Sequence, residues 1–257
     1  MNAQDASVIE VVDFAKSYGD FAAVRELSFS VHPGEIVGLV GANGAGKTTT
    51  LRAITGILRP TSGTIRVAGH DLEREPVAAK QQFAYIPDTI HPYDLLTVTE
   101  HLHFIALAYR IKDAKAKYTP LLEELGLADK ADQIASSLSR GMTQKLALAC
   151  AFLREPRVII LDEPLTGLDP RGIRNIKESI RRRAADGTAF LLSSHLLHLV
   201  EALCDQVLIL NRGRKIAFGS LEEIRALATL HSDASLEDVF FAVTEPSDKP
   251  AALTSTP

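Results

Sequence analysis

Ile36-Val37-Gly38-Leu39-Val40 runs directly into Gly41-Ala42-Asn43-Gly44-Ala45-Gly46-Lys47-Thr48, and this junction decides the fold. The second stretch satisfies G-x-x-x-x-G-K-[ST] between an apolar strand and a helical pattern over Thr48–Leu58, the context the motif needs. Its glycines let successive backbone N–H groups turn inward and form an anion nest at a helix N-terminus. Lys47 brings a point charge to the outer phosphates of a nucleotide, and the Thr48 hydroxyl can ligate Mg²⁺. A chance Gly-rich turn would not require both flanking elements, so a nucleotide phosphate site is the better reading.

Such a site needs a second oxygen source for the metal. Val158-Ile159-Ile160-Leu161-Asp162-Glu163 supplies one, four apolar strand residues ending in two acids. Asp162 would hold Mg²⁺ through its water shell. Glu163 points differently and is placed to polarise an attacking water as general base. Acids also end strands merely by entering solvent, and it is the upstream phosphate loop that favours the functional reading. A GTPase would carry an Asn-Lys-x-Asp guanine reader, and this sequence has none.

Outward from these motifs, β-branched runs alternate with helical spacing, which predicts an α/β protein with a mainly parallel sheet. Strands are expected at Val8–Phe14, Ser28–Val31, Glu35–Val40, Thr64–Val67, Phe83–Ile86, Arg157–Leu161, Ala189–Ser193, Gln206–Leu210 and Lys215–Ala217. The turns Tyr18-Gly19-Asp20 and His32-Pro33-Gly34 read as joining antiparallel pairs beside the parallel core. Between Thr97 and Leu153 the spacing is helical, over Thr97–Arg110, Ala114–Leu125 and Arg140–Leu153, with Gly126 as a stop and Ser139 as N-cap. That segment reads as a helical subdomain inserted between two halves of the core. From Glu245 the composition turns to Pro, Ser, Thr and Ala, and residues 245–257 are expected to be disordered.

Composition agrees. The 257 residues carry 28 Lys and Arg against 32 Asp and Glu, a net charge of −4, which argues against a protein that coats nucleic acid. Only two cysteines occur, Cys150 and Cys204, with no CxxC, so neither a disulfide framework nor a zinc cluster is supported. The longest run free of Asp, Glu, Lys and Arg, Gly187 to Val200, is shorter than the ~20 apolar residues of a spanning helix. Met1 to Ser7 is polar, with no basic region followed by an apolar core, so no signal peptide is expected and a cytoplasmic protein is.

Leu138-Ser139-Arg140-Gly141-Met142-Thr143-Gln144 opens a long helix, and the strand-ending acids follow it. With the phosphate loop, this resembles the ATP-binding cassette (ABC) ATPases, specifically the separate nucleotide-binding subunits of ABC transporters. The resemblance runs from about Val8 to Ala228 with the motifs in family order. It implies a P-loop NTPase (RecA-like) core with a flanking antiparallel β subdomain and an inserted α-helical signature subdomain. The implied ABC domain covers 7–230, with its core at about 7–87 and 155–230, the helical part at about 88–154, and a C-terminal extension at 231–244.

The resemblance also implies roles. Residues Gly41 to Thr49 would hold the phosphates of ATP, and Tyr18 would stack on adenine. Asp88 takes the position that contacts metal, water and the membrane partner. Ser139 and Gly141 would bind the γ-phosphate of ATP held by a second nucleotide-binding subunit, an identical copy in the simplest case. Leu168-Asp169 would cross that dimer interface, and His195 would act on the γ-phosphate. Read from the residues alone, Ser139 and Gly141 open a capped helix that an anion can approach, Tyr18 is an aromatic in a turn, and His195 could equally cap Leu196–Leu203.

Two features depart from the commonest family form: Asp88 where many members have Gln, and the signature's Arg140 and Met142 where Gly and Gln are usual. Exporter-type cassettes share Ser-x-Gly-Met-x-Gln and an ending like Ser235-Leu236-Glu237-Asp238-Val239-Phe240, which implies export. The expected protein is an ATPase, peripheral on the cytoplasmic face of a membrane, driving a separate multi-span permease. A soluble cassette acting on a macromolecule such as the ribosome is the rival reading, although such proteins usually carry two cassettes. Arg181-Arg182-Arg183, near a helix end, reads as a solvated face rather than a nucleic-acid patch. His101 with His103 and His195 with His198 lack the ligand sets of metal sites.

Overall fold

Two kinds of strand pattern sort the chain into two sheets. The computed structural model describes residues 6–229, 231 and 233–244; the expected disordered tail, 245–257, lies outside them. β1 (Ile9–Tyr18) and β2 (Phe21–Val31) mix buried and open positions and pair antiparallel across a tight turn. β3 (Ile36–Val40) is buried throughout and leads into α1 (Lys47–Ile54). β4 (Ser62–Val67) and β5 (His70–Asp71) complete an antiparallel sheet of order β2-β1-β4-β5. After α2 (Pro76–Gln81) comes β6 (Phe83–Ile86), then the helices α3 (Val98–Ala108), α4 (Ala114–Glu124) and α5 (Arg140–Leu153), which pack on one another.

The second half alternates strand and helix: β7 (Val158–Asp162), α6 (Pro170–Ala185), β8 (Ala189–Ser193), α7 (Leu197–Leu203), β9 (Gln206–Asn211) and β10 (Arg214–Gly219). The last two helices are α8 (Leu221–Leu227) and α9 (Leu236–Thr244). β7 and β8, like β3, are buried at every position, as parallel strands covered on both faces must be. The larger sheet runs β10-β9-β3-β8-β7-β6, parallel except for β10. Val37 and Leu39 share a core with Phe14, Leu27, Leu51 and Ile54, whereas Ile36 and Val40 belong to the core containing Phe152, Ile176 and Val200.

Three expectations need correction. The His32-Pro33-Gly34 turn does not join an antiparallel pair: β3 pairs with β8 and β9. A strand apolar on both faces is drawn to the sheet that covers both. β2 starts at Phe21 rather than Ser28, because the charged Arg25-Glu26 step is a bulge, with Glu26 at φ 48°, and not the end of the strand. Helix α1 stops at Ile54 instead of Leu58, because Gly56 at φ 66° closes it and Ile57 and Leu58 both donate back to Arg52 O at 3.0 Å.

The arginine run is solvated at Arg181 and Arg182, as expected, but Arg183 turns inward. Arg183 Nη1 lies 2.7 Å from Glu124 Oε1 and Arg182 Nη2 lies 2.5 Å from Glu124 Oε2, while Ser179 donates to the same carboxylate. The Arg183 guanidinium sits 3.7 Å from the Phe152 ring centroid. This cluster fastens α4 and α5 to α6.

Candidate nucleotide site

Parallel strands end together, so β3, β6, β7 and β8 deliver their following residues to one edge of the sheet, where ligands of open α/β folds bind. From β3 the chain turns through Gly44 at φ 79° and Gly46 at φ 106°, conformations that a side chain would oppose. Gly46 is the N-cap of α1, so the loop closes on a helix N-terminus. Lys47 Nζ curls over this loop and donates to Gly41 O at 2.6 Å and to Ala42 O at 3.3 Å. Burial lowers the Lys47 pKa, opposed by the charges of Glu163 and Asp162, which face it.

Beside the loop is a groove of about 260 Å³ lined by Ala42 to Thr49 together with Tyr18, Phe21 and Ala23. Tyr18 and Phe21 flank the β1–β2 turn and are exposed. Phe21 went unrecognised in the sequence, although its pairing with Tyr18 across so short a turn was the signal that both rings would face one place.

Asp162 is buried and its Oδ1 accepts from Ser193 Oγ at 2.5 Å. Glu163 takes a left-handed backbone, φ 51°, unusual for a residue other than glycine, and its N–H donates to Ser193 O and Oγ, each at 3.2 Å. Its side chain therefore leaves the strand in another direction. Glu163 Oε2 lies 2.8 Å from His195 Nδ1 and accepts from His195 N at 3.4 Å. His195 does not cap α7: the N-cap position is Leu196 and no side chain caps it. Ser193, which the sequence offers only as the last residue of an expected strand, is the hydroxyl that ties both acids to β8.

Ser139 does cap α5, its Oγ accepting from Met142 N at 3.4 Å. Gly141 packs on the loop before α6, where an added Cβ would lie 3.1 Å from Gly167 O. Asp169 caps α6 by accepting from Gly172 N at 2.5 Å. Asp88, in the loop after β6, lies 3.5 Å from Arg140 Nη2. Thus Lys47, Asp162, Glu163 and His195 are gathered at one place, whereas Ser139 and Asp169 are bonded within their own helix starts and Gly141 rests on the loop before α6.

The donor set around the phosphate loop, the Thr48 hydroxyl and the Asp162 carboxylate, is all oxygen and suits a hard divalent cation such as Mg²⁺. Among the described residues no helix is long and apolar enough to cross a membrane.

Residues 24–166 match the family model described as ABC transporter. The chain is 36% identical over 241 residues to the ABC-type transporter ATP-binding protein EcsA of Bacillus subtilis, covering 93% of this chain and 97% of that protein. It is 42% identical over 218 residues to the Nod factor export ATP-binding protein I of Paraburkholderia xenovorans, covering 83% and 71%. A solved ATP-binding subunit of an ABC transporter superposes with a TM-score of 0.89 at 38% identity, over 93% of this chain and all of the other. A phosphate loop, two strand-ending acids and a capped signature helix on this fold have one common reading: the chain belongs to the ABC transporter family, as an ATP-binding subunit of the kind that hydrolyses ATP to energise transport.

Proposed function

We propose that Glu163 is the general base of the ATPase reaction and that His195 orients it. The observation carrying this is the 2.8 Å contact between Glu163 and His195 opposite Lys47. ATP would lie with its phosphates on the backbone N–H groups of Gly41 to Thr49 and its adenine on Tyr18. Lys47 would leave the Gly41 carbonyl for the outer phosphates. Thr48, Asp162 and Asp88 would hold Mg²⁺, which when bound offsets charge building on the β- and γ-oxygens. Glu163 then accepts the proton of the attacking water, and His195, beside it, donates to the γ-phosphate through its other ring nitrogen.

Ser139 and Gly141 lie at a helix start, where unpaired N–H groups favour an anion. Their place is with the γ-phosphate of ATP on a second copy of this subunit, with Leu168 and Asp169 at the interface between copies. Hydrolysis would remove the bridging γ-phosphate and let the pair open. The motion passes to a separate multi-span permease at a membrane's cytoplasmic face. Exposed Tyr93, Leu95, Phe104 and Leu107, on and just before α3, offer the apolar surface such a partner would cover. The relative named for Nod factor export supports an outward direction.

The test is capture from detergent-solubilised membranes with tagged Glu163→Gln protein and ATP. Recovery of a multi-span membrane protein is expected; recovery of ribosomes or other soluble partners alone would replace the permease reading.

A further inference from the structure

Asp88 and Arg140, two of the positions at which this sequence departs from the commonest cassette pattern, lie against each other. Asp88 Oδ1 is 3.5 Å from Arg140 Nη2, and the two belong to different parts of the chain, the loop after β6 and the first turn of α5. Ile86 pairs with Leu161, directly ahead of Asp162, so Asp88 projects from the same sheet edge as Asp162 and Glu163. The half-buried Tyr85 hydroxyl registers this crowding: desolvation above all, then Asp162 and, more weakly, Asp88, push its pKa up to about 12.

Three carboxylates therefore share the edge where a triphosphate would lie, and each has its own partner. Asp162 accepts from Ser193, Glu163 from His195, and Lys47 faces both. Asp88 has Arg140. The arginine is braced to reach it: an added Cβ on Gly167 would lie 3.1 Å from Arg140 Cδ, so the stem of the side chain rests on the loop between β7 and α6.

We infer that Arg140 is the counter-charge that makes an acid at position 88 compatible with bound triphosphate, and that the pair ties the start of α5 to the loop after β6. Both side chains are half-exposed, so the pair adds little to folding; its effect is on the potential met by an incoming anion. A glycine at position 140 would leave the Asp88 charge unopposed, whereas a glutamine at position 88 would need no partner. The two departures form one substitution in physical terms. This inference rests on the reading of the edge as an ATP site.

The experiment is equilibrium titration of the full chain with fluorescent ATP and ADP analogues in EDTA, so that the metal role of Asp88 does not enter, for Arg140→Gln, Asp88→Asn, the double variant and Arg140→Lys, with melting curves confirming the fold. Arg140→Gln should weaken ATP binding roughly fivefold, and ADP binding less because it carries less charge. Adding Asp88→Asn to Arg140→Gln should restore most of the loss, and Arg140→Lys should stay near wild type. Penalties that simply add in the double variant, or equal losses for ATP and ADP, would overturn the inference. ATP affinity unaffected by Lys47→Ala would instead remove the phosphate-site reading, and this inference with it.

Discussion

Glu163 Oε2 and His195 Nδ1 lie 2.8 Å apart, a contact that joins the end of β7 to the end of β8. The left-handed backbone at Glu163, φ 51°, turns its carboxylate away from the neighbouring Asp162, which is bonded to Ser193. Two consecutive acids thus reach different partners, as separate metal-binding and proton-accepting roles require.

Replacing Glu163 by Gln keeps the side chain's shape and removes its basicity. Turnover should fall by at least about 100-fold while ATP affinity changes little. Phosphate release measured beside nucleotide titration separates the two; an equal loss of both would assign Glu163 a structural role.

Among the described residues, Lys47 Nζ bonds only to the carbonyls of its own loop, Gly41 O and Ala42 O. Lys47→Ala should therefore leave the melting temperature close to wild type, yet weaken ATP binding by roughly 10- to 100-fold, the range for charged hydrogen bonds. Calorimetric titration with ATP tests this directly.

Tyr18 and Phe21 both border the groove beside the phosphate loop. If Tyr18 carries the base, Tyr18→Ala should weaken ATP roughly 5- to 100-fold by loss of stacking. Binding of inorganic tripolyphosphate should be unchanged, and Tyr18→Phe should behave as wild type. A larger loss in Phe21→Ala than in Tyr18→Ala would move the adenine to Phe21.

The Glu124 cluster sets acid stability. Burial raises the Glu124 pKa, but hydrogen bonds from Arg183 and Ser179, with Arg182, outweigh it and bring the value to about 2. A carboxylate whose pKa falls on folding adds stability that is complete above its ordinary value near 4.5 and drains away as pH falls towards 2. Glu124→Gln should cost about 2 kcal/mol at neutral pH, since it leaves two arginines without their partner. That loss lowers the melting point by about 4–8 °C in a chain of this size. In melting scans across pH, the gap between variant and wild type should narrow below pH 4.5.

Much of the fold is legible in the chain because its strands are contiguous and apolar. Helix α5, Arg140–Leu153 with Ser139 as N-cap, matches its sequence reading end to end, since cap and periodicity are local signals. The antiparallel sheet is less legible: bulges at Asp13 and Glu26 break the alternation on which strand recognition depends. Phe21 and Ser193 escaped notice as site residues because neither belongs to a motif of its own; each matters through a neighbour.

The phosphate loop, the acids after Leu161 and the capped signature helix were determined by sequence alone. In each, residues adjacent in the chain are adjacent in space, and the backbone conformation they require is written into their own types. Which acid meets which partner was decided by tertiary structure. Ser193 with Asp162, Glu163 with His195, Glu124 with Arg183 and Asp88 with Arg140 all join distant segments. Nothing local encodes such pairs, because they depend on the order β3-β8-β7-β6, which brings separate strand ends to one edge, and on the packing of the inserted helices against it.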